Sequence, residues 1–202
     1  MKTWFLAVLV LGSGMACSGG GATADPKKTE AEAAREPTAK VDAPTSTTER
    51  PIVIMETDWG NIVMELFPDV APITCDSILS LVNRRFYDGL TFHRIIPGFV
   101  LQGGDPKGNG TGDAGFRIPA EFSARKHVAG SLSMARNMED INSSGCQFFI
   151  CLAALPNLDS SFNLFGQVIA GMDVAHKIEV VPTGPGDKPM EPVVIRRMYE
   201  NK

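Results

Sequence analysis

The sequence predicts a mainly β domain, an antiparallel barrel or sandwich that carries two helices. Three observations predict it. From Pro51 onward, short apolar runs alternate with Gly-rich turns. Two stretches instead place their apolar residues at helical spacing. Gly and Pro are plentiful, at 20 and 14 of 202 residues, which suits a loop-rich fold.

The elements follow in order. IVIMET and DWGNIVMELF read as two strands joined by a tight turn at Asp58-Trp59-Gly60-Asn61. Between Ala71 and Phe86, the residues Ile73, Ile78, Leu79, Leu81, Val82 and Phe86 fall mainly on one helical face, with Pro72 in the first turn. LTFHRI, FVLQG, GSLSMA, QFFICLA and FNLFGQVI are further strand candidates. A short second helix is predicted over Met172 to Ile178, and PVVIRRMY supplies a last strand. No internal repeat is present.

Residues 1–16 read as a secretory signal: a positive Lys2, the apolar run Trp4 to Leu11, then small residues. The run is shorter than the roughly 20 apolar residues that span a bilayer. Gly14-Met15-Ala16-Cys17 resembles the lipobox of bacterial lipoproteins, although it lacks a Leu three residues before the cysteine. The resemblance implies a lipid on Cys17 and a place in the bacterial cell envelope, facing the periplasm. The alternative is ordinary cleavage near Ala16. Residues 17–50 hold no aromatic residue and a single Val, so they read as a disordered linker. The folded domain is then 51–202.

Composition excludes several classes. The net charge is -4 and no long basic run appears, which argues against a nucleic-acid partner. Four cysteines without CxxC or Cys/His clustering argue against structural zinc. GGDPKGNGTG lacks the GK[ST] ending of a phosphate loop. An extended chain would separate Cys146 from Cys151 by roughly 17 Å, beyond the reach of a disulfide. Cys75 could pair only if the helix brought it close, so free buried thiols are expected. His93 reads as a hydrogen-bonded structural histidine; His127 and His176 read as structural or exposed.

Three blocks are more specific. The first is Phe92-His93-Arg94-Ile95-Ile96-Pro97-Gly98-Phe99-Val100-Leu101-Gln102-Gly103-Gly104-Asp105. The second is Gly130 to Arg136 (GSLSMAR), continuing in Ser144 to Ile150 (SGCQFFI). The third is Leu158-Asp159 followed by Phe165-Gly166-Gln167-Val168. In order, spacing and residue type, these resemble the cyclophilin family of peptidyl-prolyl cis/trans isomerases over essentially all of residues 51–202.

The resemblance implies a closed eight-stranded antiparallel barrel capped by two helices, with a groove for prolyl peptides on its outside. It implies a catalytic Arg94, with Gln102 holding the guanidinium and the substrate. It implies a proline pocket of Phe99, Val100, Phe149 and Leu158. Ala135, Arg136, Gln147 and Phe162 match groove positions. Asn157 stands where many members carry a Trp that contacts cyclosporin, so weak affinity for that drug is expected. Val100 replaces a frequent Met.

The chemistry suits these residue types. Rotation about X-Pro crosses a barrier of about 18–20 kcal/mol set by amide resonance. No bond between heavy atoms forms or breaks, so no cofactor or metal is called for. A fixed cation that donates hydrogen bonds to the twisted amide is enough, and arginine stays charged with its donors in a rigid fork. The expected partners are proline-containing polypeptide clients and, through Cys17, a membrane; a monomer is expected. The rival reading is a binding module or holdase that grips prolyl segments without catalysis.

Overall fold

The computed structural model describes residues 50–202. The expected signal segment, Cys17 and the expected linker up to residue 49 lie outside the described residues.

Strands β1 (Ile52–Thr57) and β2 (Gly60–Leu66) form a hairpin paired from Ile52/Glu65 to Thr57/Gly60. The turn is tighter than the four residues predicted, with only Asp58 and Trp59 between the paired ends. Thr57 fixes it: its hydroxyl donates to the Gly60 carbonyl (2.8 Å) and accepts the Trp59 N–H (3.1 Å). Alternation buries Val53 and Met55 on one strand and Ile62, Met64 and Leu66 on the other.

Helix α1 (Pro72–Asn83) ends before Phe86. Arg85 adopts a left-handed φ of 57°. The Phe86 N–H bonds the Leu81 carbonyl and the Arg85 N–H bonds that of Val82. This is a Schellman ending, here without the usual glycine. At the other end a distant carboxylate serves the first turn: Glu121 accepts from Ile73 N–H, Thr74 N–H and the Thr74 hydroxyl at 3.0, 2.8 and 2.7 Å.

The remaining elements are β3 (Arg94–Ile96), β4 (Val100–Gly103), β5 (Ser131–Met134), β6 (Phe148–Cys151), β7 (Leu164–Ala170), α2 (Met172–Glu179) and β8 (Ile195–Asn201). All eight strands join one antiparallel sheet in the order β3-β4-β6-β5-β7-β2-β1-β8. LTFHRI yields only the three-residue β3. PVVIRRMY begins pairing as a strand three residues late, at Ile195.

The expected complete closure is corrected by this topology. The end strands β3 and β8 do not pair as strands, and the sheet is curled but open. Only the residues ahead of them meet, at a bridge between Thr91 and Val194. Phe92 N–H donates to Val193 O (3.0 Å) and Ile195 N–H to Leu90 O (2.8 Å) there. Three residues of β3 are too few to extend a ladder along β8.

The main core fills the inside of the curl and includes Tyr87, Phe92, Ile95, Leu101, Leu132, Phe148 and Ile150. Tyr87 is fully buried; its hydroxyl donates to the Cys146 carbonyl at 3.0 Å. Gly104 passes beside that carbonyl with φ of 83°, where a Cβ would approach it to 2.5 Å. A second, smaller apolar cluster of Val100, Phe149, Cys151, Leu155 and Leu158 lies apart from the main core, with Phe99, Ala135 and Phe162 against it. Cys75, Cys146 and Cys151 are free and buried, and burial pushes their thiols up to about 12, 11 and 12. They behave as small apolar residues.

Candidate active site

The second cluster marks the site, and strand register builds it. Arg94 on β3 is paired with Gln102 on β4, Gln102 with Phe149 on β6, and Phe149 with Ser133 on β5. These four residues form one row across four strands. The adjacent row, Ile95, Leu101, Ile150 and Leu132, belongs to the main core. Because side chains alternate along a strand, the first row must face the opposite way.

A cavity of about 220 Å³ opens over that row. It is lined by Arg94, Phe99, Val100, Gln102, Ala135, Arg136, Met138, Phe149, Leu158 and Phe162. Nine of the ten groove residues expected from sequence are therefore together here. The tenth, Gln147, stands beside them: its Oε1 accepts from Gln102 Nε2 at 3.1 Å. Its own amide donates to the carbonyls of Gly110 (3.2 Å) and Gly112 (2.8 Å). The floor is apolar. Val100, Phe149 and Leu158 are buried, and the Phe149 and Phe162 rings meet edge to face at 5.8 Å. Leu158 comes from a 3-10 turn, Pro156–Leu158, that leaves Asn157 exposed at the rim.

One expected contact is not the one seen. Gln102 was expected to hold the arginine, but its amide bonds Gln147 instead. The guanidinium of Arg94 donates from Nε to Asp187 Oδ2 at 3.4 Å. Arg136 is occupied with its own surroundings. It donates to the carbonyls of Ser161 (3.0 Å), Asn137 (2.9 Å) and Met138 (3.4 Å), and its cation lies 4.8 Å from the Phe162 ring centre. It braces the loop that ends one groove wall.

A model of the cyclophilin type peptidyl-prolyl cis-trans isomerase family matches residues 52–200. The chain belongs to the cyclophilin family. A cyclophilin relative in Schizosaccharomyces pombe, named a peptidyl-prolyl cis-trans isomerase, is 41% identical over 148 residues. That match covers 71% of this chain and 94% of the relative. Peptidyl-prolyl cis-trans isomerase B of Bacillus subtilis is 46% identical over 120 residues, covering 58% of this chain and 82% of that one. Among solved cyclophilins, one from Cryptosporidium parvum, crystallised in the presence of the dipeptide Ala-Pro, superposes with a TM-score of 0.72 at 32% identity. That superposition covers 75% of this chain and 99% of the other.

Sequence reasoning missed three neighbours of the cyclophilin groove. Asp187 sits in a turn remote from every quoted block. Met138 lines the cavity from an exposed loop, where nothing in its spacing marks it. His127 stacks beside Phe149, with ring centres 6.4 Å apart and planes 21° apart. It is structural, as one of its expected readings had it: Nδ1 lies 3.2 Å from Asp159 Oδ1 and Nε2 lies 3.2 Å from Ser133 Oγ. Asp159 also accepts the His127 backbone N–H at 2.8 Å, which holds its carboxyl below the usual range. His176 is exposed on α2 and pairs with Glu179.

His93 departs from expectation. It is 94% buried (6% exposed), yet neither ring nitrogen meets a hydrogen-bond partner among the described residues. Burial lowers its pKa, opposed by Asp105 and assisted by the charges of Arg94 and Lys188. Burial also lowers the pKa of His127, outweighing Asp159. In the unfolded chain both rings titrate near about 6.5. Below that pH the unfolded state therefore takes up protons that the native state refuses, and stability falls until the lower native pKa values are reached. Urea midpoints measured between about pH 8 and 5 should drop once the pH is below about 6.5; a flat profile would overturn this assignment.

Proposed function

We infer that the chain is a peptidyl-prolyl cis/trans isomerase whose Arg94 stabilises the twisted X-Pro amide. The observation that carries this is the register row: it puts a half-buried cation at the edge of a cavity of about 220 Å³ with an apolar floor. The pocket grips the ring through Phe99, Val100, Phe149 and Leu158 while the peptide on the amino side rotates. As the amide twists, the proline nitrogen regains its lone pair and becomes an acceptor. Among the described residues, Arg94 hydrogen-bonds only through Nε, so its terminal amino groups can turn to that nitrogen. A donor that meets the reacting atom only in the twisted state accelerates the step rather than merely tightening binding.

A holdase that only grips prolyl segments would use the same walls but not the cation. Arg94→Ala separates the two readings. For an isomerase, kcat/KM on a short X-Pro peptide should fall on the order of 100-fold or more, the usual cost of removing one such donor. A folded wild-type chain with no isomerase activity would favour the holdase.

We place the domain outside the cytoplasm, on a lipid anchor at Cys17, as a monomer that assists folding of exported proteins in a bacterial envelope. The apolar leader, the small residues before Cys17 and the polar linker after it support this reading. The residues preceding Pro51 are long enough to let a tethered catalyst reach clients. Labelled palmitate should enter the wild-type chain and not a Cys17→Ala variant. Label in both, or in neither, leaves ordinary cleavage near Ala16.

The bridge between Thr91 and Val194 serves in this reading to tie the two ends of the open, curled sheet beside β3. The exposed Asn157 offers no aromatic face at the groove rim, so calorimetric titration with cyclosporin should give only weak binding. A nanomolar dissociation constant would show that the ring is not needed.

A further inference from the structure

Arg94 is held in place by a part of the chain that the groove does not include. The segment between α2 and β8 folds back as a small loop. Its base is tied by the Thr183/Pro189 bridge, by Gly184 N–H to Lys188 O (2.7 Å) and by Met190 N–H to Pro182 O (2.9 Å). Its tip is the 3-10 turn Pro185–Asp187, which lies against β3. Gly186 and Asp187 both take left-handed backbone, φ 75° and 60°. That pair of angles turns the Asp187 carboxylate toward the groove, where it accepts from Arg94 Nε at 3.4 Å.

We propose that Asp187 is a positioning residue for catalysis, holding Arg94 by its Nε edge so that the terminal amino groups face the proline. The proposal rests on the isomerase reading above. A guanidinium is a planar fork with donors on more than one edge. Fixing the Nε edge from behind removes rotamer freedom without occupying the donors that face the groove. Gln102 does not do this here: its Nε2 donates to Gln147 Oε1, and among the described residues the one acceptor that meets Arg94 is Asp187. Both members of the pair are near half-exposed, with side-chain accessibilities of 40% and 48%. Such pairs contribute little to global stability. The contribution of Asp187 therefore lies in orientation.

A different reason for an aspartate here is its backbone: Asp and Asn both tolerate the left-handed region, where most residues are strained. Asp187→Asn separates the two reasons. It keeps the backbone preference and the shape and removes only the charge. The full chain and the Asp187→Asn variant are compared in X-Pro isomerisation, with melting temperatures alongside. Positioning predicts that kcat falls roughly five-fold or more while KM stays within about two-fold, a modest share of what misplacing a catalytic group can cost. Melting should be unchanged. At about 1 M salt, where screening reaches about 3 Å, the wild-type rate should drop toward that of the variant.

Equal kcat for the two proteins overturns the proposal, as does a loss that arises in KM or comes with a lowered melting temperature. A rate gap that ignores salt overturns it too. If the wild-type chain itself fails to isomerise, the isomerase reading has failed and the positioning role falls with it.

Discussion

Strand register governs the rest of this molecule. Side chains on a strand alternate strictly, so a slip of one residue would exchange the faces of a whole strand. Between β3, β4, β6 and β5, one row sends Ile95, Leu101, Ile150 and Leu132 into the main core. The next row sends Arg94, Gln102, Phe149 and Ser133 outward. Burial of the first row therefore enforces the second. The direction in which the row faces needs no further device, because a slip would push an arginine and a glutamine into the core and bring isoleucines out of it.

Around that row the chain adds braces. Glu179 at the end of α2 accepts the Gly98 N–H at 3.0 Å and so holds the hairpin that carries Phe99. His127 lies beside Phe149 and is itself clamped by Asp159. Arg136 ties the loop at Asn137 and Met138 to Ser161. The braces from Glu179 and Arg136 are polar contacts to groove elements, and that from His127 is a buried ring laid against Phe149. The floor stays apolar while its surroundings are fixed from outside it.

Much of this was legible in the sequence, and the boundary has a physical cause. The hairpin at the start, both helices and the strands of the site announce themselves through local period and turn residues. The block from Phe92 to Asp105 and the run from Gln147 to Ile150 are short, contiguous and specific, so the groove floor could be named residue by residue. What escaped was what depends on distant chain segments meeting. Asp187 reaches Arg94 across 93 residues, and Glu121 reaches the first turn of α1 across 47. The Gln102 partner was misjudged because cross-strand neighbours do not reveal which way an amide turns. Incomplete strand pairing between β3 and β8 was hidden by LTFHRI, whose composition suits a strand longer than β3. The His93 ring, whose two nitrogens meet no partner among the described residues, was equally unreadable, since composition does not tell a satisfied histidine from an orphaned one.

The scattered origin of the row has a consequence for how the chain comes to exist. Its members sit at 94, 102, 133 and 149, and the sheet that aligns them runs through pairings between distant strands, such as β1 with β8. Contacts of long sequence separation close slowly, because the loop entropy must be lost before the pairing repays it. β8 follows every other described element, and the turn bearing Asp187 just precedes it. The loop beside Arg94 can settle only after the 93 residues that follow Arg94 have emerged. A nascent or truncated chain would thus lack the Asp187 contact, even with every residue of the four-strand row already in place.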